Sequence, residues 1–185
     1  MTPEEVMKSI EQEAPRRGLP IIGPVRGKIL DDMIAQHNPS SILEIGTLVG
    51  YSAIRMGRHL RSGQSITCVE LKDEMAQVAR KNIERAGLSE RITVKVGDAK
   101  KVLPGLEGTY DMVFLDAVKD EYLGYLRSVE HLMHKGSIVV ADNVKSHAAE
   151  VSGYLDYVRN SGKYLSEYRE PPAGGPDAVE ISVKL

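Results

Sequence analysis

The stretch "SSILEIGTLVGYS", residues 40–52, joins an apolar run to a loop with two glycines and then to a segment of helical periodicity. Four similar runs, rich in Ile and Val, follow it: "SITCVEL", "RITVKVG", "YDMVFLD" and "GSIVVAD". Both faces of these runs are mostly apolar, which is typical of parallel strands covered by helices on both sides. The pattern predicts five parallel strands connected by helices.

The connecting segments have the length and periodicity of helices: "YSAIRMGRHLR", "KDEMAQVARKNIERAG", "KDEYLGYLRSVEHLMHKG" and "SHAAEVSGYLDYVRNSG". The last three end on Gly, which commonly follows a helix C-terminus. Two helices, near Pro3–Ala14 and Pro24–Gln36, precede the first strand and predict a helical cap over about residues 1–38. After the last helix, "PPAGGPD" separates "YLSEYRE" from "AVEISVKL" and predicts an antiparallel hairpin. The predicted fold class is a doubly wound α/β sheet that ends in this hairpin.

Composition and charge narrow the possible functions. The 185 residues, 42% of them hydrophobic, suffice for one domain with a sizeable core, and no linker divides residues 1–185. A formal net charge of −2 provides no overall field that favours nucleic acid or an anionic membrane. The single cysteine, Cys68, lies in an apolar run and predicts a buried thiol in a reducing compartment such as the cytoplasm. No signal peptide or membrane-spanning stretch is evident, so we expect a soluble protein.

Each predicted parallel strand ends on or next to an acidic residue. These residues are Glu44, Glu70, Asp98, Asp116 and Asp142, the last followed by Asn143. Ligands of open α/β sheets bind beyond the carboxyl ends of the strands, where these side chains would gather. Asp and Asn also cap helices and form turns, so each residue alone has an ordinary structural explanation. Together they favour a ligand site.

The first loop differs from the standard nucleotide-binding loops. Leu48 and Tyr51 occupy the second and third glycine positions of G-x-G-x-x-G, and the Lys of a P-loop is missing. Glu70 follows Gly46 by 24 residues, where an acid can accept hydrogen bonds from both hydroxyls of a ribose. With "GDA" at Gly97–Ala99, this order is the one expected of an S-adenosylmethionine site in Rossmann-like methyltransferases.

From about Gly23 to Glu170, the chain resembles the catechol O-methyltransferase family. Five motifs carry the resemblance: "GKIL" (27–30), "LEIGTLVGYSAIRM" (43–56), "DMVFLDAVKDEYL" (111–123), "VVADNV" (139–144) and "EYRE" (167–170). The resemblance implies a Rossmann-like O-methyltransferase that depends on S-adenosylmethionine and Mg²⁺. The implied substrate is a small molecule, a catechol or a similar vicinal dihydroxy aromatic.

The same resemblance implies roles for individual residues. Asp116, Asp142 and Asn143 are the implied Mg²⁺ ligands, and their hard oxygen donors suit that ion. Lys119 is the implied general base, since a cation beside it and a partly dry cleft disfavour its charged form. Glu167 is implied to hold the second substrate hydroxyl. The five histidines are scattered and offer no competing zinc cluster.

The implied cofactor-binding residues come from several strands and loops: Ile22, Glu44, Gly46, Tyr51, Ser52, Glu70, Ala99 and Asp116.

The chain departs from the family in residues that would contact the substrate. Familiar catechol enzymes read Asp-His-Trp-Lys in the metal loop, whereas this chain has Ala117 and Val118 at the middle positions and no Trp at all. Apolar contact from Leu19, Pro20 and Val118 would have to replace the aromatic walls.

Two other functions stay open at this point. The same cofactor chemistry could act on a hydroxylated RNA base or another oxygen nucleophile, which would require a basic surface around the cleft. The chain could also be a non-catalytic cofactor-binding scaffold, because fold alone does not establish activity. The intact set of Asp116, Lys119, Asp142 and Asn143 favours an enzyme. The sequence makes no prediction of the oligomeric state.

Overall fold

The structure, a computed structural model, describes residues 1–172 and 174–185. Seven strands form its central sheet: β1 (Ser41–Ile45), β2 (Ser65–Glu70), β3 (Ile92–Val96), β4 (Tyr110–Leu115), β5 (Met133–Ala141), β6 (Tyr164–Arg169) and β7 (Val179–Lys184). Their order in the sheet is β3-β2-β1-β4-β5-β7-β6. The first five strands are parallel, and β7 is antiparallel to both β5 and β6. The predicted α/β sheet with an antiparallel finish is therefore confirmed.

Seven helices accompany the strands in the described part of the chain: α1 (Pro3–Arg17), α2 (Gly23–His37), α3 (Tyr51–Gly57), α4 (Asp73–Arg85), α5 (Ala99–Val102), α6 (Tyr122–Val129) and α7 (Ser152–Asn160). One apolar cluster joins α1 to α4 with one face of the sheet, and a second joins α5 to α7 with the other. In β4, Met112 and Phe114 face the first cluster, whereas Val113 and Leu115 face the second. Because alternate residues point to opposite faces, a strand buried on both sides must be apolar throughout.

The helix predicted over "KDEYLGYLRSVEHLMHKG" is wrong in its second half. Helix α6 ends at Val129, and β5 already begins at Met133, so Gly136 lies within a strand rather than at a helix end. Pairing with β4 favours the extended backbone, since Tyr110 opposes Met133 across a register shift. The Ser137 hydroxyl stabilises this irregular start by donating to the Tyr110 carbonyl at 2.9 Å. His131 and His134, expected on an amphipathic helix, lie in a 3₁₀ turn and in β5.

Two further boundaries differ from the sequence-based expectation. Helix α7 begins at Ser152 instead of Ser146, and the residues before it form turns in which the backbone N–H groups of Lys145 and Ser146 donate to the Asp177 carboxylate. The short helix α5 was not predicted from the sequence.

The C-terminal hairpin of β6 and β7 is paired from Tyr164 with Lys184 to Arg169 with Val179. Within its predicted loop "PPAGGPD", Ala173 lies outside the described residues.

Of the helices in the described ranges, none combines the length and the apolar character that crossing a membrane requires.

Candidate active site

A cavity of about 670 Å³ opens at the carboxyl ends of the parallel strands. The loops after β1, β2, β3 and β4 line it, and the segment Pro20–Ile22 between α1 and α2 closes one side. Most of the predicted site residues line this cavity: Ile22, Gly46, Tyr51, Ser52, Glu70, Ala99, Asp116, Lys119 and Asn143. The sheet topology thus brings together side chains that are up to 121 residues apart in sequence, from Ile22 to Asn143.

The loop after β1 passes unusually close to the end of β4. Gly46 has φ +93°, and a Cβ placed there would lie 2.3 Å from the Asp116 carbonyl oxygen. The Gly46 N–H donates to the Val69 carbonyl at 2.9 Å, and the Asp116 N–H donates to the Ile45 carbonyl at 2.9 Å. These bonds continue the sheet by one residue, so only a residue without a side chain fits between the two loops.

Glu70 ties the end of β2 to the same loop. Its Oε2 accepts a hydrogen bond from the Leu48 N–H at 2.8 Å, and its Oε1 accepts one from the Lys72 N–H at 3.0 Å. Leu48 has the unusual φ of +49°, which this bond stabilises. A carboxylate has about four acceptor positions, so each oxygen of Glu70 can still accept a bond from a ligand hydroxyl.

Glu44 lies beneath the cavity rather than in its wall. Its side chain is fully buried, and its two oxygens accept short hydrogen bonds from the hydroxyls of Thr47 and Ser52, both of which line the cavity. Burial raises the pKa of the Glu44 carboxyl above its ordinary value, although these two hydrogen bonds oppose the rise. Glu44 therefore shapes the loop through its neighbours and does not face the cavity.

The N-terminal helices support the start of α3. The hydroxyl of Tyr51, the first residue of that helix, donates to Glu11 of α1 at 2.5 Å and accepts from Nη1 of Arg55 at 3.2 Å. Arg55 in turn donates to Asp31 of α2 at 2.6 Å through Nη2. Burial and the hydrogen bond to Glu11 raise the pKa of Tyr51 well above its ordinary value, so the phenol stays protonated. The helical cap thus fixes a residue of the cavity wall.

Two carboxylates, Asp116 in the cavity wall and the fully buried Asp142, are each paired with a cation. Lys119 Nζ lies 2.8 Å from Asp116 Oδ1, and Arg26 Nη2 lies 3.1 Å from Asp142 Oδ2. Burial, followed by the charge of Asp142, raises the pKa of Asp116, whereas Lys119 lowers it. Burial also raises the pKa of Asp142, against the effect of Arg26. Burial therefore disfavours the ionised form of both carboxylates, and the two cations oppose that effect.

One contact in this group is incomplete. Arg26 Nε lies 3.0 Å from Asp142 Oδ1, but neither atom has a hydrogen-bond partner among the described residues. Lys119 Nζ also donates to the Tyr122 hydroxyl at 2.9 Å, which in turn donates to the Asp142 carbonyl at 3.1 Å. Asp142 is thus fully buried, held by the Arg26 guanidinium and not itself part of the cavity lining.

Asn143 follows Asp142 with φ +62°, in the left-handed region that Asn tolerates better than most residues. Its side-chain nitrogen donates to Asp177 Oδ2 at 2.7 Å, which leaves its carbonyl oxygen on the opposite side of the amide. Among the described residues, no three His, Cys, Asp or Glu side chains are grouped so that they could hold a metal ion. The predicted site instead consists of two carboxylates and this amide, a set of hard oxygen donors that fits Mg²⁺.

Glu167 is not brought to the cavity. It lies on the edge strand β6 with a side chain that is 62% exposed, and its two oxygens accept hydrogen bonds from Arg169, both at 3.0 Å. The Arg169 contact lowers the pKa of the Glu167 carboxyl.

Val118 stands where familiar catechol enzymes have the Trp of the metal loop. It lines the cavity and is 50% exposed.

The comparison with known proteins now decides the family. A family model described as O-methyltransferase matches residues 3–158. The chain belongs to the O-methyltransferase family. The predicted family is thereby confirmed.

Relatives of this O-methyltransferase include the catechol O-methyltransferase of Sus scrofa, 37% identical over 77% of this chain and 80% of that protein. Catechol O-methyltransferase B of Danio rerio is 35% identical over 90% of this chain. The chain spans 65% of the length of that protein. Among solved structures, the O-methyltransferase from Bacillus cereus in complex with SAH has a TM-score of 0.84 at 26% identity. It covers 97% of this chain and 91% of that one.

Sequence reasoning missed two residues of this O-methyltransferase that hold the predicted metal ligands. Arg26 lies on α2, 116 residues from its partner Asp142, and Asp177 lies 34 residues beyond Asn143. No local pattern links either residue to its partner, because the contacts depend on how α2 and β7 pack against β5. The Asp next to the Pro- and Gly-rich loop was a weak signal for Asp177.

Proposed function

We propose that this protein transfers a methyl group from S-adenosylmethionine to one hydroxyl of a catechol or similar vicinal dihydroxy aromatic, in a reaction that depends on Mg²⁺. One observation carries the proposal. Asp116, Asn143 and Lys119 line the same cavity as the glycine loop and Glu70. The Asp142 carboxylate is fully buried and does not itself line the cavity, but it lies near enough to Asp116 to raise the pKa of that carboxyl. The catechol O-methyltransferases among the relatives support the substrate class.

The cofactor end suits a nucleoside that carries a small cationic group. Each oxygen of Glu70 is fixed by one backbone N–H and can accept a bond from one ribose hydroxyl. The absence of a side chain at Gly46 lets the backbone approach the ligand closely. The Bacillus cereus neighbour in complex with SAH, the demethylated form of the donor, supports this assignment.

The metal end suits a hard divalent cation. The carboxylates of Asp116 and Asp142 and the side-chain carbonyl of Asn143 would hold Mg²⁺. When bound, the ion would supply Lewis-acid polarisation and a template for two adjacent substrate oxygens. Arg26 and Lys119 offset part of the effect of burial on the carboxylates, which favours the ionised form that binds a metal.

Lys119 is the group placed to handle the proton. Asp116 and the Tyr122 hydroxyl fix its Nζ beside the metal ligands, and its side chain is 13% exposed. For this role Lys119 must first release to solvent the proton that it holds in its pair with Asp116, and its Nζ then accepts the proton of the reacting hydroxyl. The oxygen then forms a bond to the methyl carbon as the carbon–sulfur bond breaks, and the thioether leaves. Alignment of oxygen, methyl and sulfur in one cavity supplies a large part of the rate acceleration.

The charges around the cavity favour a small substrate over RNA. Of the described Lys and Arg residues that line it, Lys72 has no ion pair, whereas Lys100 is paired with Glu121, Lys119 with Asp116 and Arg26 with Asp142. These pairs leave no continuous basic stripe for phosphate contacts.

We also propose one domain over residues 1–185. We propose a cytoplasmic location, which the buried free thiol of Cys68 supports.

The test is methyl transfer from labelled S-adenosylmethionine to a panel of catechols, with Mg²⁺ or with EDTA. We expect labelled product from at least one catechol with Mg²⁺ and none with EDTA. Transfer that continues in EDTA would contradict the metal role. Binding of the cofactor without transfer to any dihydroxy aromatic would contradict the substrate class.

The predicted contact of Glu167 with the second hydroxyl needs its own variant. In Glu167→Gln, a raised KM for catechol at unchanged cofactor affinity would support that contact. Unchanged kinetics would confine Glu167 to its pair with Arg169.

A further inference from the structure

We propose that Asp177 is a positioning residue that fixes the side-chain orientation of Asn143 and so turns the Asn143 carbonyl oxygen toward the metal end of the cavity. The importance of this orientation for catalysis rests on the proposed function, because Asn143 is there a metal ligand. The orientation itself is a property of the protein without any ligand.

Asp177 is almost completely buried, at 3% exposure, and collects five hydrogen bonds. Its Oδ2 accepts from the side-chain nitrogen of Asn143 at 2.7 Å and from the Ser146 hydroxyl. Its Oδ1 accepts from the backbone N–H groups of Lys145 at 3.2 Å, Ser146 at 3.1 Å and Ala178 at 2.9 Å. Three of these five donors are backbone N–H groups, which can only donate, so Asp177 serves as an acceptor here.

The chemistry of the two side chains sets the direction of the amide. An ionised carboxylate only accepts hydrogen bonds, so the Asn143 side chain must present its nitrogen to Asp177. The carbonyl oxygen then points away from Asp177, and Asn143 lines the cavity. A partner that could donate would allow the opposite orientation, with the nitrogen in the cavity. Nitrogen of an amide cannot ligate a hard cation.

The segment that carries Asn143 has little other support. Strand β5 ends at Ala141 and α7 begins only at Ser152, so the N–H groups of Lys145 and Ser146 depend on Asp177. Two further backbone bonds support it: the Val144 N–H donates to the Ala178 carbonyl at 3.1 Å, in the same turn as Asp177, and the His147 N–H donates to the Asn143 backbone carbonyl at 3.1 Å. The exposed Lys145 ammonium also pairs with Glu170 at 2.8 Å. The start of the C-terminal hairpin strand β7 therefore holds the loop that completes the metal end of the cavity.

The decisive variant is Asp177→Asn. Its oxygen can accept the three backbone N–H groups as before, but its nitrogen then faces Asn143 and forces the Asn143 amide to turn over. The matched control is Asp111→Asn. Asp111 also accepts two backbone N–H groups, of Ser40 at 2.7 Å and Ser41 at 3.2 Å, at the opposite end of β1 and β4.

The rescue variant is Asn143→Asp with Asp177→Asn. Here the nitrogen of residue 177 donates to one carboxylate oxygen at position 143, and the other oxygen is free to face the cavity. This exchange restores the hydrogen bond with donor and acceptor reversed. It also provides a second folded protein should the single variant fail to fold.

The first measurement needs no metal. In protein labelled with ¹⁵N-Asn, the wild type has four Asn side-chain amides and Asp177→Asn has five, so loss of one signal on adding Asn143→Ser in each background identifies that of Asn143. We expect this signal to exchange slowly with solvent in the wild type and in Asp111→Asn, and quickly in Asp177→Asn. Slow exchange in Asp177→Asn would overturn the inference, whether or not the protein is an enzyme.

The second measurement is calorimetric titration of Mg²⁺ into the protein saturated with S-adenosylmethionine. Loss of a supporting hydrogen bond typically weakens a metal site about 10–100-fold, and we expect such a loss in Asp177→Asn, recovery in the double variant and no change in Asp111→Asn. Equal weakening in Asp177→Asn and Asp111→Asn, or no recovery in the double variant, would reduce Asp177 to a structural residue. If the wild type binds no Mg²⁺ while the exchange result holds, the proposed function fails and the orientation by Asp177 stands.

Discussion

Gly46→Ala probes the junction between the cofactor loop and the metal end of the cavity. The new methyl group would lie 2.3 Å from the Asp116 carbonyl oxygen and 2.7 Å from its carbonyl carbon. Both are backbone atoms between β4 and its loop, so no side-chain rotation can relieve the overlap. The strands β1 and β4 would have to separate locally, or the Asp116 peptide would have to rotate.

Two costs contribute to the destabilisation. A residue with a Cβ in the left-handed region loses about 1–2 kcal/mol relative to Gly. Forcing an additional methyl group into a packed site adds about 1–3 kcal/mol. The sum, about 2–5 kcal/mol, is a large share of the free energy of unfolding of a typical domain.

Gly63→Ala separates these two costs. Gly63 has φ +86°, close to the +93° of Gly46, but a Cβ there has no atom within 4 Å. Urea unfolding of both variants gives the comparison, read from the midpoint at an unchanged slope. We expect Gly46→Ala to be less stable than Gly63→Ala by about 1–3 kcal/mol, the overlap alone. Equal destabilisation would refute the close approach of Gly46 to Asp116.

Three other predictions concern single side chains. Lys119→Ala should lower kcat by roughly 10²–10⁴-fold with little change in S-adenosylmethionine affinity, and normal turnover would remove Lys119 from the base role. The hydrogen bond between His134 and Asp111 raises the pKa of His134. The stabilisation that this pair gives the folded protein is therefore complete below about pH 6.5, and it is lost as the pH rises through the raised pKa of His134. The urea midpoints of wild type and His134→Gln should therefore converge at alkaline pH, and a gap that widens there would contradict this. Cys68 is buried, and burial raises the pKa of its thiol. An aromatic disulfide reagent should therefore label Cys68 only as fast as the protein unfolds. Rapid labelling under native conditions would show an accessible thiol.

The predictable part of the fold follows from strong local patterns. Strand β4 is apolar on both faces because helices cover it on both sides, and the sequence "YDMVFLD" reflects this directly. The edge strand β3 departs from the pattern, since Thr93, Lys95 and Val96 are exposed where no further strand or helix covers them. The helix assigned to Glu130–Gly136 failed because pairing of Met133 with Tyr110 is a contact between distant segments that helical periodicity does not report.

In the candidate site, too, residues within local motifs could be predicted from the sequence, whereas residues held by tertiary contacts could not. Asp116, Lys119 and Asn143 could be predicted because they stand at strand ends within recognisable motifs. Arg26 and Asp177 could not, because their partners Asp142 and Asn143 become neighbours only through tertiary packing. Glu167 shows that a matching motif does not fix a side chain's surroundings, since Arg169, two residues away, pairs with it on the exposed edge strand.

The central claim is that one hydroxyl of a vicinal pair is methylated while a divalent cation at Asp116, Asp142 and Asn143 holds both oxygens. The most direct measurement is the initial rate of methyl transfer to catechol and to its isomer resorcinol, across a titration of Mg²⁺. We predict a rate with catechol that rises with Mg²⁺ to saturation and no detectable rate with resorcinol, whose hydroxyls are too far apart to chelate one ion. Similar rates with both isomers, or a catechol rate independent of Mg²⁺, would contradict it.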